Sequence, residues 1–253
     1  MRRFLFWYLP LIAALASAIL FGAGFYSFLR GDTGTSVSLL PSTAQATESA
    51  PRKQIVPIIV GDSLGRGTGD ETGLGIGGRF VDELRKRKID TKNIVNIAVN
   101  GARTRDLIQQ LTSHNVQTLL AQSNVIIVSI GGNDLWGDNN FRQGAPPNPE
   151  TVMHEVLERV EQSVRTIRGA NPAARIFVIG LYNPFATTPF GKMLTPFVNR
   201  WNSLLVERFA ADANVVVVQT SDIFAYRDRL SFDRFHPGQE GYSLIARRIA
   251  DAI

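Results

Sequence analysis

The chain of 253 residues has three histidines and no cysteine, so a hydroxyl nucleophile has few bases to choose from. Gly61-Asp62-Ser63-Leu64-Gly65 follows an apolar run and sets a serine at its end. A serine hydroxyl attacks a carbonyl only when a neighbouring base takes its proton. His114, in "QQLTSHN", and His154, on the polar side of a helical stripe, read as ordinary surface or cap residues. His236 differs, because Asp233 precedes it by three positions and Pro237 follows it. The residue before a proline is kept out of the helical region. An aspartate three positions earlier reaches one ring nitrogen, fixing the tautomer and stabilising an imidazolium. Acyl transfer also needs donors for the developing oxyanion, each worth about 3 kcal/mol of barrier. The candidates are the Ser63 N–H at a strand-to-helix turn, the Gly101 N–H, which no side chain obstructs, and the Asn133 side-chain amide.

The elements between these residues must carry them to one place. Short Val/Ile-rich runs recur at Ile55–Val60, Ile94–Val99, Val125–Ile130, Ile176–Ile179 and Val215–Val218. Runs apolar on consecutive positions suit parallel strands covered on both faces. Helices are predicted between them at Gly78–Lys88, Thr104–Gln122, Pro149–Arg168 and Thr195–Ala213, with a last one at Gln239–Ile253. The third carries the stripe Val152, Val156, Val160, Val164 and Ile167. Such alternation predicts an α/β doubly wound sheet over residues 54–253, in which sites form beyond the C-terminal strand ends. Gly61-Asp62-Ser63 follows the first strand, Asn100-Gly101 the second, and Gly131-Gly132-Asn133-Asp134 the third.

Taken together, Gly61-Asp62-Ser63-Leu64, Gly101 within "NIAVNGART", Gly131-Gly132-Asn133-Asp134 and Asp233-Arg234-Phe235-His236 resemble the four blocks of the SGNH (GDSL) hydrolase family, in the family's order. The resemblance implies a flavodoxin-like three-layer α/β/α sandwich with a five-stranded parallel sheet. It implies Ser63 as nucleophile, His236 as general base, Asp233 as its orienting acid, and an oxyanion hole from Ser63, Gly101 and Asn133. The same serine also fits Gly-x-Ser-x-Gly, the elbow of α/β-hydrolases. That elbow follows several strands, and here only the N-terminal segment precedes it. The resemblance implies an esterase acting on small-molecule esters or lipids, similar to lipases and lysophospholipases. The alternatives are a cell-wall or polysaccharide O-deacetylase of the same chemistry and a non-catalytic anchored binding protein. Phe185, Phe190, Met193 and Phe197 are candidates to line an apolar acyl pocket. The glycine-rich stretch Gly65–Gly78 either moves over the site or simply connects.

Composition narrows the partners. A formal charge of +5 with a pI near 9.8 is mildly basic. A nucleic-acid binder gathers such charge into a stripe. Here the one dense cluster, Arg85-Lys86-Arg87-Lys88, ends a predicted helix and suits its dipole, so no nucleic acid is expected. No helical His pair or carboxylate-rich loop appears, so neither a metal nor a cofactor is expected. Phe4 to Leu29 carries no charge and as a helix would be about 39 Å long, enough to cross a hydrocarbon core of about 30 Å. Arg2 and Arg3 before it predict residues 1–30 as a single-pass membrane anchor with the remainder outside the cytoplasm. The competing reading is a signal peptide cleaved near Ala16-Ser17-Ala18, giving a secreted protein. Residues 31–53, rich in Ser, Thr, Ala and Gly, read as a flexible tether.

Overall fold

The computed structural model describes residues 2–29, 54–136 and 148–253. The chain divides into two compact units, residues 1–50 and 51–253. The first holds one helix, α1, over Arg2–Leu29. Its described side chains, Tyr8 and residues 12–26, are exposed, and they are apolar around the whole helix. Among the described residues no helix is long and apolar enough to cross a membrane. The span expected at residues 4–29 is therefore not a structural finding, although the segment is helical throughout. The tether expected at residues 31–53 lies outside the described residues.

The second unit is built on five parallel strands: β1 (Pro57–Gly61), β2 (Val95–Asn96), β3 (Val125–Ser129), β4 (Arg175–Ile179) and β5 (Val215–Val218). Their order is β2-β1-β3-β4-β5. The helices are α2 (Ser63–Arg66), α3 (Gly75–Lys86), α4 (Thr104–Leu111), α5 (His114–Gln122), α6 (Gly132–Trp136), α7 (Pro149–Ala170), α8 (Pro189–Phe209) and α9 (Gln239–Asp251). Alternate strand residues face opposite ways. Ile126 and Val128 join a core with α4, α5, α7 and α8. Val125 and Ile127 join a second core with α3 and α9. The result is the expected α/β/α arrangement. In this order the chain reverses its direction of winding between β1 and β3, and a crevice opens at their C-terminal ends.

Three expected elements differ most from the sequence reading; α3 also runs from Gly75 rather than Gly78, and the short α2 and α6 have no counterpart in it. β2 holds two residues rather than six. Beyond it the chain still bonds to β1, from Ile97 N–H to Ile59 O and from Val99 N–H to Gly61 O. The Asn96 side chain, however, bonds the Ala98 N–H and Gly65 O and diverts the backbone from regular strand geometry. The long helix expected over residues 104–122 is two, because the Thr112 and Ser113 hydroxyls donate to the Gln109 and Gln110 carbonyls and close α4. Helix α8 starts at Pro189 instead of Thr195. The Thr188 side chain caps it and Pro189 occupies its first turn, a pairing favoured at helix starts. Pro196, beside the expected start, lies inside this helix. The basic cluster does end a helix: Lys86 pairs with Glu83 at 2.8 Å and Arg87 with Asp251 at 2.5 Å.

Candidate active site

Strand β1 ends where only glycine fits. Gly61 has φ +124°, and a Cβ there would lie 1.8 Å from the Ser129 carbonyl oxygen on neighbouring β3. The next residue, Asp62, donates its N–H to that same oxygen at 2.8 Å and caps α2 by accepting from the Leu64 N–H at 3.1 Å. Ser63 is thus the first residue of a short helix at the crevice. Asp62 is buried, and its carboxylate also accepts from the Ser129 hydroxyl at 2.7 Å. Burial pushes its pKa up to about 6 against the hydrogen bonds from Ser129, Leu64 and Gly65 and the nearby His236.

The histidine comes from a tight loop between β5 and α9. An antiparallel bridge between Leu230 and Pro237 closes it, and the Ser231 N–H donates to the His236 carbonyl at 2.8 Å. Inside, Asp233 Oδ1 accepts from the Ser231 hydroxyl and from the Phe235 and His236 N–H groups, at 2.7 to 2.9 Å. Its other oxygen meets His236 Nδ1 at 2.7 Å. On the far side of the ring, Nε2 lies 2.9 Å from Ser63 Oγ. A carboxylate only accepts, so Nδ1 carries the proton and Nε2 presents its lone pair to the serine hydroxyl. Although burial raises the Asp233 pKa, the bonds from His236, Ser231 and the two amides hold it below the usual carboxylate range. The Tyr182 hydroxyl, on the chain following β4, donates to the Phe235 carbonyl at 2.7 Å and ties the loop to the sheet.

Ser63, His236 and Asn133 line one cleft open to solvent, with Asp62 at its wall. Its apolar lining is Leu64, Trp136, Leu181, Tyr182, Pro184 and Phe235. Asn133, in α6, donates from Nδ2 to the Ala102 carbonyl at 2.9 Å, which leaves the amide a second hydrogen. Gly101 does not line this cleft. It borders an adjoining groove with Val99, Asp106 and Gln110, beside the residue that Asn133 grips. Its φ of +79° explains the glycine, since nothing lies within 4 Å of the position a Cβ would take. Neither the Ser63 nor the Gly101 N–H finds an acceptor among the described residues.

Residues 59–244 match the GDSL-like lipase/acylhydrolase family. The chain belongs to that family, and so to the carboxylic ester hydrolases. It is 33% identical over 217 residues to the uncharacterized protein YpmR of Bacillus subtilis (strain 168), covering 83% of this chain and 85% of that one. Among solved structures, its fold is similar to the lipase Lip_vut3 from a goat rumen metagenome, with a TM-score of 0.68 at 20% identity, covering 79% and 97%. It is also similar to a Clostridium thermocellum family 3 carbohydrate esterase, with a TM-score of 0.57 at 19% identity, covering 79% and 94%.

The acyl-pocket candidates of this GDSL hydrolase lie around the described part of the cleft. None of Phe185, Phe190, Met193 and Phe197 is among the described residues that line the cleft. Three of them lie in α8, whose early start turns an expected loop into helix, and Met193 is 78% exposed. Phe185 and Phe197 stand behind the lining, with ring centroids 6.2 Å from Phe235 and 6.0 Å from Trp136. In the glycine-rich stretch after Ser63 one carboxylate gathers several bonds. Asp70 accepts from the Thr72 and Gly75 N–H groups and from the Thr72 and Arg79 side chains. Burial raises the Asp70 pKa, but those bonds keep the carboxylate below its ordinary value. His114 begins α5, and His154 lies 3.8 Å from Glu150 on the helix surface. Among the described residues no cluster of three or more His, Asp or Glu side chains is arranged to hold a metal ion.

Proposed function

We propose that this chain hydrolyses carboxylic esters through an acyl-enzyme on Ser63. The observation that carries the reading is the relay from Ser63 Oγ to His236 Nε2 at 2.9 Å and from His236 Nδ1 to Asp233 at 2.7 Å. His236 takes the serine proton as Oγ attacks the ester carbonyl, and Asp233 stabilises the imidazolium. The Asn133 amide and the Ser63 and Gly101 N–H groups receive the oxyanion. His236 then protonates the departing alcohol. Water, activated by the same nitrogen, releases the acid and restores the serine.

The apolar lining supports an ester with an apolar acyl group, as in lipases and lysophospholipases. The uncharged run Phe4–Leu29 behind Arg2 and Arg3 supports an uncleaved single-pass anchor with the hydrolase unit outside the cytoplasm. Ser63→Ala tests the chemistry: hydrolysis of a p-nitrophenyl ester is expected to fall by about 10⁴-fold or more, with the fold retained. Wild-type turnover in that variant refutes the mechanism. The wild-type chain, given a panel of acyl lengths and acetylated sugars, is expected to release fatty acid. Release of acetate alone moves the assignment to an O-deacetylase. Protease added to intact cells is expected to reach the hydrolase unit, and full protection refutes the anchored topology.

A further inference from the structure

Beside the reacting groups lies a polar cluster that the proposed reaction leaves without a role. Thr104, fully buried, opens α4, and Asp134 follows Asn133 in α6. The Asp134 carboxylate grips Thr104 twice, accepting from its N–H at 2.9 Å and from its hydroxyl at 2.6 Å. That hydroxyl accepts in turn from Arg159 Nε at 2.8 Å. Arg159, from α7, also holds Nη2 3.7 Å from Asp134 Oδ1. Next to this pair, Asn133 Nδ2 donates to the Ala102 carbonyl at 2.9 Å. Adjacent residues of α6 thus hold alternate residues, Ala102 and Thr104, at the start of α4.

We propose that Asp134 and Thr104, braced by Arg159, are positioning residues that hold the Gly101 N–H and the Asn133 amide in register for the oxyanion. The proposal rests on the reading above, in which those two groups stabilise the oxyanion. These donors come from different segments, the turn after β2 and α6, and neither segment by itself fixes their separation. Donors aid the transition state only when they are fixed before charge develops. Charge-assisted bonds to a carboxylate are short and stiff. Asp134 is nearly buried, with 7% of its side chain exposed. The Arg159 guanidinium supplies the charge partner that such a carboxylate requires. Loosening the clasp therefore weakens transition-state binding and leaves ground-state binding intact, so kcat falls while KM holds.

The same bonds also cap α4, and a cap alone would affect stability only. A double-mutant cycle on the full chain separates the two roles, with a p-nitrophenyl ester as substrate. Thr104→Val is expected to lower kcat about 10- to 100-fold at nearly constant KM, and Thr104→Ser, which keeps the hydroxyl, to recover most of it. In an Asn133→Ala background the same change is expected to have a clearly smaller effect, because the donor it positions is already gone. An equal factor in both backgrounds, or wild-type kcat in Thr104→Val while Asn133→Ala is impaired, overturns the clasp alone. Wild-type kcat in Asn133→Ala overturns the oxyanion reading and the clasp with it. If Thr104→Val does not fold, Arg159→Met at a partly exposed position is expected to lower kcat about 3- to 10-fold at constant KM. Unchanged kcat there overturns the proposal.

Discussion

Asp62 places a carboxylate directly beneath the nucleophile's turn, and its burial has a measurable consequence. Its pKa is raised from the ordinary 3.8 to about 6, because burial outweighs the bonds from Ser129, Leu64 and Gly65. Below pH 3.8 both folded and unfolded chains hold this proton, and the group has no effect on stability. As pH rises, the unfolded chain ionises first, and stability falls until the folded carboxyl ionises near 6. At about 1.36 kcal/mol per pH unit, that interval corresponds to about 3 kcal/mol lost by neutral pH. Asp62→Asn keeps an acceptor for Ser129 and Leu64 but does not titrate. Its replacement of the second oxygen by an amide shifts stability by a constant, so the useful quantity is the wild-type minus Asn difference as a function of pH. Other carboxylates cancel in that difference. Denaturant unfolding of both proteins from pH 4 to 7.5 is expected to show the difference moving against the wild type by about 2.4 kcal/mol, the remainder being already lost at pH 4. In melting temperature this amounts to about 5–10 °C for a domain of this size. A difference flat within about 1 kcal/mol across the range refutes the argument that Asp62 ionises at a buried site.

Two further substitutions probe the supports of the site. Asn202 is buried, accepts from the Leu181 N–H at 2.8 Å and donates to the Leu181 carbonyl at 2.9 Å, which anchors a residue of the cleft wall. Asn202→Leu is expected to destabilise by about 2–4 kcal/mol in denaturant unfolding, since two backbone groups lose their partners; a neutral result refutes the latch. Asp233→Asn presents the wrong hydrogen-bonding group to Nδ1 and is expected to lower kcat about 10⁴-fold in an ester assay. Because the Asp233 pKa is depressed, its contribution to stability is complete above 3.8 and lost as pH falls further. The stability deficit of Asp233→Asn is therefore expected at neutral pH and to close in acid, and a deficit that grows in acid contradicts the sign.

The sheet was legible in the sequence where both faces of a strand are covered. Runs such as Val125–Ser129 are buried along their whole length, so unbroken apolar letters mark them and their order along the chain marks the crossovers. β2 was legible only in position. It is an edge strand with Val95 exposed, and its length depends on whether the Asn96 side chain competes with the ladder. The split between α4 and α5 turns on two hydroxyls closing a helix end, and threonine and serine letters do not announce that choice. The start of α8 was expected at Thr195, next to Pro196, and lies at Pro189. A proline at a helix start and one tolerated inside a helix look alike when the capping Thr188 lies a full turn or more upstream.

At the site, the sequence yielded the residues whose chemistry is unusual for their surroundings and missed those whose role is architectural. Ser63, Asp233 and His236 stand out because Asp-x-x-His, ambiguous by itself, occurs in the same chain as Gly-Asp-Ser, and the structure brings them within hydrogen-bonding reach. The cleft wall did not stand out, because Trp136, Leu181 and Tyr182 are letters that any core would use. More telling are Asp62 and Asp134. Each adjoins a better-known residue in its block, and as letters they read as turn aspartates. Burial changes their meaning, since a carboxylate withdrawn from water must be bonded on several sides, and those bonds fix whatever backbone carries them. Asp62 in this way fixes the turn of the nucleophile, and Asp134 fixes the N–H that begins α4. Both therefore act on backbone position, a property that no single letter encodes and that appears only when strands β1 and β3 stand side by side.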